Sequence, residues 1–169
     1  MCRGLVTFVV WLFVMSTATG GTIKSQTGWV VIDTPYPFSK LVDRLEAAVN
    51  AEHMNIVNTA SASEGAKAAG VAIPGNRVIG VFRNDFARRL LDASVTAGIE
   101  APIRIYVTEN SDHTATLSYK KPTAVFASYT DEGKHVLKEL AAELDDIFKR
   151  IAELAAKEKC RGSGLRVCR

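Results

Sequence analysis

Histidine exchanges protons near neutral pH more readily than any other side chain, so the histidines of this 169-residue chain are the first candidates for chemistry. There are three: His53, His113 and His135. His113 lies in a polar segment four residues after Glu109, a spacing at which an acid and a base could pair. None of the three has a second His or Cys at the spacing of metal ligands, so the sequence predicts neither a metal site nor a cofactor.

The common catalytic motifs are missing from the chain. It contains no G-x-S-x-G, H-E-x-x-H or C-x-x-C-H pattern. Residues 70–77 superficially resemble a phosphate-binding loop, but Asn76 and Arg77 stand where Lys and Ser or Thr are required, and Pro74 removes one backbone donor. We therefore predict a domain without catalytic activity. The alternative is a small enzyme that uses His113 or His53 together with Glu109 and Arg83.

One segment predicts a strand with two different faces. Apolar residues alternate with polar ones over residues 103–108, as IRIYVT. The polar turn at residues 110–113 leads into a second strand over residues 114–120, so we expect an antiparallel hairpin. The outward face would carry Arg104, Tyr106 and Thr108. Their cross-strand neighbours would be Thr116, Ser118 and Lys120 or, in the other register, Leu117 and Tyr119.

Such a face could hold a small anionic ligand or a second subunit, or it could be an ordinary solvated sheet surface. The candidate ligand-binding residues are Arg104, Tyr106, Arg83, Glu109 and His113.

Strands and helices alternate along the body of the chain. Short β-rich runs begin at Trp29, Met54 and Arg77, and a first amphipathic helix follows Pro37. Ser63 and Glu64 are predicted to cap a short helix, and Asn84 is predicted to cap another that ends at Gly98. The longest helix opens at Thr130, with apolar residues at spacings of three and four from position 137 to 154.

Together these patterns predict an α+β fold: a mainly antiparallel, β-α-β-rich sheet with helices packed on one face and a long C-terminal helix. The composition, with 47% hydrophobic and 23% charged residues, is typical of a globular domain and excludes whole-chain disorder. We assign one domain to residues 21–156. The net charge of +3 is too small to predict a nucleic-acid partner.

Residues 1–20 have the pattern of a secretory signal peptide. Arg3 precedes an apolar run over residues 5–15, and small residues follow it. The alternative is a membrane anchor, but eleven apolar residues fall short of the roughly 20 that a spanning helix needs. We expect an exported protein, periplasmic or secreted, whose mature chain has no transmembrane span.

The tail over residues 157–169 is basic, with five Lys or Arg residues and one Glu. It also contains Cys160 and Cys168, which could form a local disulfide in an exported chain or remain free thiols. The tail could weakly attract an anionic surface or partner, or it could be simply solvated.

Between residues 28 and 154 the chain contains short motifs in a fixed order: Gly70-Val71, Gly80 in a strand, Ala87 in the next helix, Pro102 before a strand, and Lys121-Pro122 after the hairpin. In the order of these motifs it resembles the family called domain of unknown function 302. The resemblance implies a compact α+β domain similar in architecture to the TATA-binding protein, and a homodimer. It implies no established activity. Family members place cysteines at the positions of Phe82 and Ile103, which argues against a thiol or metal role in this chain.

Overall fold

Five strands form one antiparallel sheet in the computed structural model, which describes residues 23–157. The spatial order of the strands is β1-β5-β4-β3-β2, so the first two strands occupy opposite edges. The strands are β1 (Trp29–Thr34), β2 (Asn55–Ala60), β3 (Asn76–Phe82), β4 (Ile103–Glu109) and β5 (Ala115–Lys120).

In residues 23–157, three α-helices and one short 3₁₀ turn lie between the strands, and two further α-helices and a second 3₁₀ turn follow β5. The helices are α1 (Phe38–Ala51), α2 (Ala62–Ala68), α3 (Asn84–Ala93), α4 (Pro122–Val125) and α5 (Thr130–Ala156), and the 3₁₀ turns span Thr96–Glu100 and Ala127–Tyr129. Because α1 joins the two edge strands, it crosses the sheet, and it contacts β4 and β5 on the way. Helix α5 packs beside α1 and α3.

The core lies between the sheet and these helices. Ile103, Ile105 and Val107 of β4 are buried on the helix side, as their alternation with polar residues predicts. The rings of Tyr119 on β5 and Phe148 on α5 lie 5.6 Å apart, joining the sheet to the longest helix. The structure thus confirms the predicted α+β fold with a mainly antiparallel sheet and a long C-terminal helix.

Several predicted helix ends differ from the observed ones. Ser61, rather than Ser63, caps α2, because its Oγ accepts a hydrogen bond from the backbone N–H of Glu64 at 3.1 Å. Asn84 is already the first residue of α3, which ends at Ala93 before the 3₁₀ turn that contains Gly98. Leu154, the last apolar residue of the α5 pattern, is 45% exposed.

The predicted signal peptide (residues 1–20), nearly all of the basic tail, and Cys160 and Cys168 lie outside the described residues. Within residues 23–157, no helix has both the length and the apolar character that crossing a membrane requires.

Candidate functional site

The register of the β4–β5 hairpin decides which side chains share the outward face of the sheet. Tyr106 is paired with Ser118 and Thr108 with Thr116, which confirms the first of the two predicted registers. Continuing this register by one step places Arg104 opposite Lys120, and Lys120 is in turn paired with Trp29 of β1. Arg104 and Lys120 therefore stand side by side on adjacent strands.

A hollow of about 510 Å³ lies over this part of the outward face. Its volume is within the range of small-molecule sites. Strand residues and the segments just beyond the strands line it, including Trp29, Val78, Glu100, Arg104, Tyr106, Ser118, Lys120 and Val125. The chain leaves the sheet at this end, and α4 and the two 3₁₀ turns bound the opening.

The two cations in the hollow have no anionic partner within residues 23–157. Neither Arg104 nor Lys120 forms an ion pair there, and both side chains are exposed. The one aromatic contact is between Lys120 and Trp29, whose ring centre lies 5.5 Å from Nζ. The cationic charge of the hollow is therefore available to a ligand.

One carboxylate also lines the hollow. Glu100 accepts a hydrogen bond from the hydroxyl of Tyr129 at 2.8 Å. This hydrogen bond to Glu100 raises the pKa of Tyr129, with desolvation and the charge of Glu100 adding to it. The hollow thus combines two cations with one oriented acceptor.

Within residues 23–157, two buried hydroxyl groups on the outward face have no hydrogen-bond partner. They are Ser118 Oγ and Thr108 Oγ1, and Ser118 is completely buried beneath the hollow. By contrast, Thr116 Oγ1 lies 2.7 Å from Asp33 Oδ1 and 3.0 Å from Asn110 Oδ1. A buried polar group without a partner is unusual in a native structure, so the hydroxyl of Ser118 requires an explanation.

Gly80 of β3, paired with Arg104, leaves room for a neighbouring side chain. A Cβ atom at this position would lie 2.0 Å from Asn58 Oδ1 and 2.9 Å from Pro102 Cγ. The absence of a side chain at Gly80 therefore lets the amide of Asn58 lie over this position of the outward face.

Glu109 and His113 form a separate pair at the other end of β4. Arg104 is five residues away along this strand, or roughly 16 Å. Glu109 accepts hydrogen bonds from the backbone N–H of Gly75 at 2.7 Å and from His113 Nδ1 at 3.2 Å. These bonds, the one from Gly75 first, lower the pKa of Glu109. Since His113 is 88% exposed, the pair is at the surface.

Arg83 belongs to a third location, at the start of α3. Its guanidinium forms two hydrogen bonds with the carboxylate of Asp85, at 2.7 and 3.1 Å, and stacks 4.2 Å from the ring centre of Phe86. The Arg83 hydrogen bond lowers the pKa of Asp85. Since β3 runs antiparallel to β4, Arg83 and Glu109 lie at opposite ends of the sheet. His53 follows α1 with a φ of 56° and lies near the Arg83 end.

The five candidate residues therefore fall into three groups: Arg104 with Tyr106, Glu109 with His113, and Arg83 with Asp85. The sequence prediction did not include Trp29, Glu100, Ser118 or Lys120 among the site residues. The sequence pattern could have identified Lys120 and Ser118 as site residues, because one of the two hairpin registers places them beside Arg104 and Tyr106. No sequence pattern indicates Trp29, because its pairing with Lys120 joins distant parts of the chain.

Metal binding has no support in the part of the chain that the structure describes. No group of three or more His, Cys, Asp and Glu side chains there is placed to hold a metal ion.

The five-stranded antiparallel sheet, with its long helices on one face and a charged hollow on the other, defines an α+β domain with an open sheet face. The model of the family described as "Domain of unknown function DUF302" matches residues 30–154, and the chain belongs to this family.

A solved structure shows the same fold. The crystal structure of an uncharacterized conserved DUF302 protein from Bacillus stearothermophilus matches with a TM-score of 0.66 and 20% sequence identity, covering 78% of this chain and 100% of that one. No match was found among curated proteins.

Proposed function

We propose that this protein is an exported, non-catalytic binding domain that holds a small anionic ligand in the hollow on its open sheet face. The observation that carries this proposal is the pair of cations, Arg104 and Lys120, which line the hollow without an ion-pair partner in residues 23–157. The two cations outnumber the one carboxylate of the hollow, Glu100, and an excess of positive charge on a concave surface attracts anionic ligands.

The alternative of an enzyme built on His113 or His53 with Glu109 and Arg83 has less support. An acid–base catalyst needs its groups within hydrogen-bond reach of one substrate. Glu109 and His113 meet this condition with each other, but Arg83 lies at the far end of the sheet and is paired with Asp85. We therefore favour binding over catalysis.

Isothermal titration calorimetry with acetate, benzoate and inorganic phosphate tests the binding proposal. We expect at least one of these anions to saturate a single site. Arg104→Met is expected to weaken that binding by at least about tenfold, because a charge-assisted contact is lost. Arg88→Met is the matched control, since Arg88 is an exposed arginine on α3 outside the hollow. The proposal fails if none of the three anions binds, or if the two variants behave alike.

Dimerisation is a second proposal, and the edge of the sheet favours it. Within residues 23–157 the outer edge of strand β2 is unpaired and has no charged residue, and Val57, which lies at the register shift between Ile56 and Asn58, is 52% exposed. An uncharged edge can pair with a strand from another chain. Sedimentation should detect a dimer that Val57→Lys weakens and that Val71→Lys, at a loop position with 54% exposure, leaves intact. A wild-type protein that stays monomeric at all concentrations would exclude this interface.

Export is a third proposal, and it depends on the pattern of residues 1–20. Expression of the whole chain in a bacterial host, followed by fractionation and N-terminal sequencing, tests it. We expect a mature chain that begins near Gly21 in the exported fraction. An uncleaved chain in the cytoplasmic fraction would contradict export.

A further inference from the structure

The charges of Arg104 and Lys120 form an arrangement that a sheet normally avoids. Residues opposite each other on antiparallel strands have Cα atoms about 4.5–5.5 Å apart, and like charges there are destabilising. Nothing in residues 23–157 offsets this repulsion with an ion pair. In the free protein the two adjacent cations repel each other, and the one carboxylate of the hollow, Glu100, is hydrogen-bonded to Tyr129, so a bound anion would reduce the repulsion.

The closeness of the two cations limits the kind of anion that fits them. Side chains on adjacent strands can converge on one group of atoms, whereas two separate carboxylates would need cations farther apart. Arginine offers a planar fork of donors and lysine a compact point charge. A phosphoryl group, with nearly two charges and three acceptor oxygens, matches both at once, whereas a single carboxylate carries only one charge.

The rest of the hollow indicates what is attached to that phosphoryl group. Aromatic surface comes from Trp29, which is next to Lys120, and from Tyr106, which is two residues from Arg104 on the same face of β4. Val78 adds an apolar contact. An aromatic or apolar body could pack there once the anion is held. The hollow, at about 510 Å³, has room for such a body as well as for the phosphoryl group.

We propose that the ligand of the hollow is a phosphate monoester with a ring-bearing body, and that Arg104 and Lys120 together hold its phosphoryl group. This inference rests on the binding function proposed above and specifies the chemical class of the ligand. Free inorganic phosphate shares the same phosphoryl chemistry, so the test separates the contribution of the body from that of the phosphoryl group.

Calorimetry at pH 7.5 and fixed ionic strength with phenyl phosphate, inorganic phosphate and benzoate provides this test. We expect phenyl phosphate to bind at least about tenfold more tightly than benzoate, because a second charge contacts the cation pair. Inorganic phosphate should bind less tightly than phenyl phosphate, because it lacks the ring.

Variants of the two cations complete the experiment. Lys120→Met and Arg104→Met should each reduce the affinity for phenyl phosphate by about tenfold or more, and Arg104→Lys should reduce it less, because the charge remains. Lys121→Met is the matched control, since Lys121 is exposed and does not line the hollow. Thermal melting of each variant checks folding, and the unliganded Lys120→Met protein should melt no lower than the wild type, because removing one cation relieves the repulsion.

The outcomes separate the two proposals. If benzoate binds as tightly as phenyl phosphate and Arg104→Met weakens both, the inference about the phosphoryl group is wrong while the binding function stands. If inorganic phosphate binds as tightly as phenyl phosphate, the inference that the ligand has a ring-bearing body is wrong. If none of the three compounds binds, both proposals fail.

Discussion

Ser118 and Thr116 are two fully buried hydroxyl residues on β5, two positions apart, that differ in whether they have a hydrogen-bond partner. Thr116 has two acceptors within 3.0 Å, whereas Ser118 has no partner in the part of the chain that the structure describes. Burying a polar group without a partner costs about 1–3 kcal/mol. The two residues should therefore respond in opposite ways when the hydroxyl is removed.

We expect Ser118→Ala to raise the free energy of unfolding by about 1 kcal/mol, because it removes an unsatisfied buried group. Thr116→Val should lower this free energy by about 1 kcal/mol, because it leaves the buried acceptor on Asn110 with one donor fewer. Urea denaturation of both variants measures the two effects. A large loss of stability in Ser118→Ala would mean that the hydroxyl has a partner in solution.

Glu109 should make stability depend on pH in the acidic range. Its pKa lies below 4.5 in the folded protein, because Gly75 and His113 donate hydrogen bonds to the carboxylate. A lowered pKa contributes stability that is fully present above the unfolded-state pKa and is lost as pH falls through the folded-state value. We expect Glu109→Gln to cost about 1 kcal/mol at pH 7 and progressively less below pH 4.5.

Urea denaturation of Glu109→Gln between pH 3 and pH 7 checks this dependence. Glu139→Gln, at an exposed position on α5, serves as the control and should change little. An effect of Glu109→Gln that stays constant over this pH range would show that the charge of Glu109 is not its cause.

The sequence predicts individual site residues as far as local periodicity extends. Alternation along β4 places Arg104 and Tyr106 on the outward face, and the four-residue spacing brings His113 close to Glu109. It cannot predict that Arg83 is paired with Asp85, since that contact depends on how α3 begins. Nor can it predict Trp29, whose strand pairing is set by the whole sheet.

Among the secondary-structure elements, the end of α5 depends on a side chain from α1. Arg44 donates hydrogen bonds to the carbonyl oxygens of Ala155 and Leu154, at 2.6 and 3.0 Å, and also to that of Lys157. Its guanidinium stacks 4.4 Å from the ring centre of Tyr36. The last carbonyl groups of a helix have no partner within the helix, so Arg44 satisfies them from outside.

We expect Arg44→Met to lower the free energy of unfolding by about 1–2 kcal/mol, because it removes the charge-assisted hydrogen bonds to these carbonyl groups and the cation–π contact. Hydrogen exchange should become faster over residues 152–157 than elsewhere in α5. Lys40→Met, from the same groove between α1 and α5, is the control. Uniformly faster exchange throughout α5 would contradict a local role for Arg44.

Sequence periodicity predicts the presence of a helix more reliably than it predicts where the helix begins and ends. The long apolar pattern correctly predicts α5, whereas the capping residue of α2 is Ser61 rather than Ser63. Ser61 and Ser63, two positions apart, can both accept a backbone hydrogen bond, but Ser63 Oγ accepts from the backbone N–H of Asn76 at 3.2 Å. Likewise, α3 ends early because the chain turns into a 3₁₀ segment that positions Glu100.

At the scale of the whole molecule, a single core joins the sheet to the helices. Most of its buried residues come from β3, β4 and β5 and from α1, α3 and α5, and partly buried residues of β1 and β2 pack against them. We expect Leu140→Ala to lower the free energy of unfolding by about 3 kcal/mol, the typical effect of a large core truncation. Backbone and side-chain signals should show the same unfolding transition. Far-UV and near-UV circular dichroism recorded on the same sample measures this. Two separate transitions would show that the sheet and the helices unfold independently.

The fold class can be predicted from the sequence, because the hydrophobic pattern marks each helix and strand. The order of the strands in the sheet cannot be predicted in this way. The hairpin is local, so its pairing is predictable. The position of β1 at the edge beside β5 depends on α1 crossing the sheet. The pattern of a short sequence segment cannot predict this long-range pairing. This pairing brings Trp29 beside Lys120 in the lining of the hollow.

The position of β1 also affects the order in which the chain can complete its fold during synthesis. Thr34 and its hydrogen-bond partner Ala115 are separated by 81 positions. At roughly 5–20 residues per second, a ribosome needs about 4–16 s to synthesise that interval. The first strand to leave the ribosome is therefore the last that can find its neighbour, and its apolar residues remain without a partner until β5 has emerged.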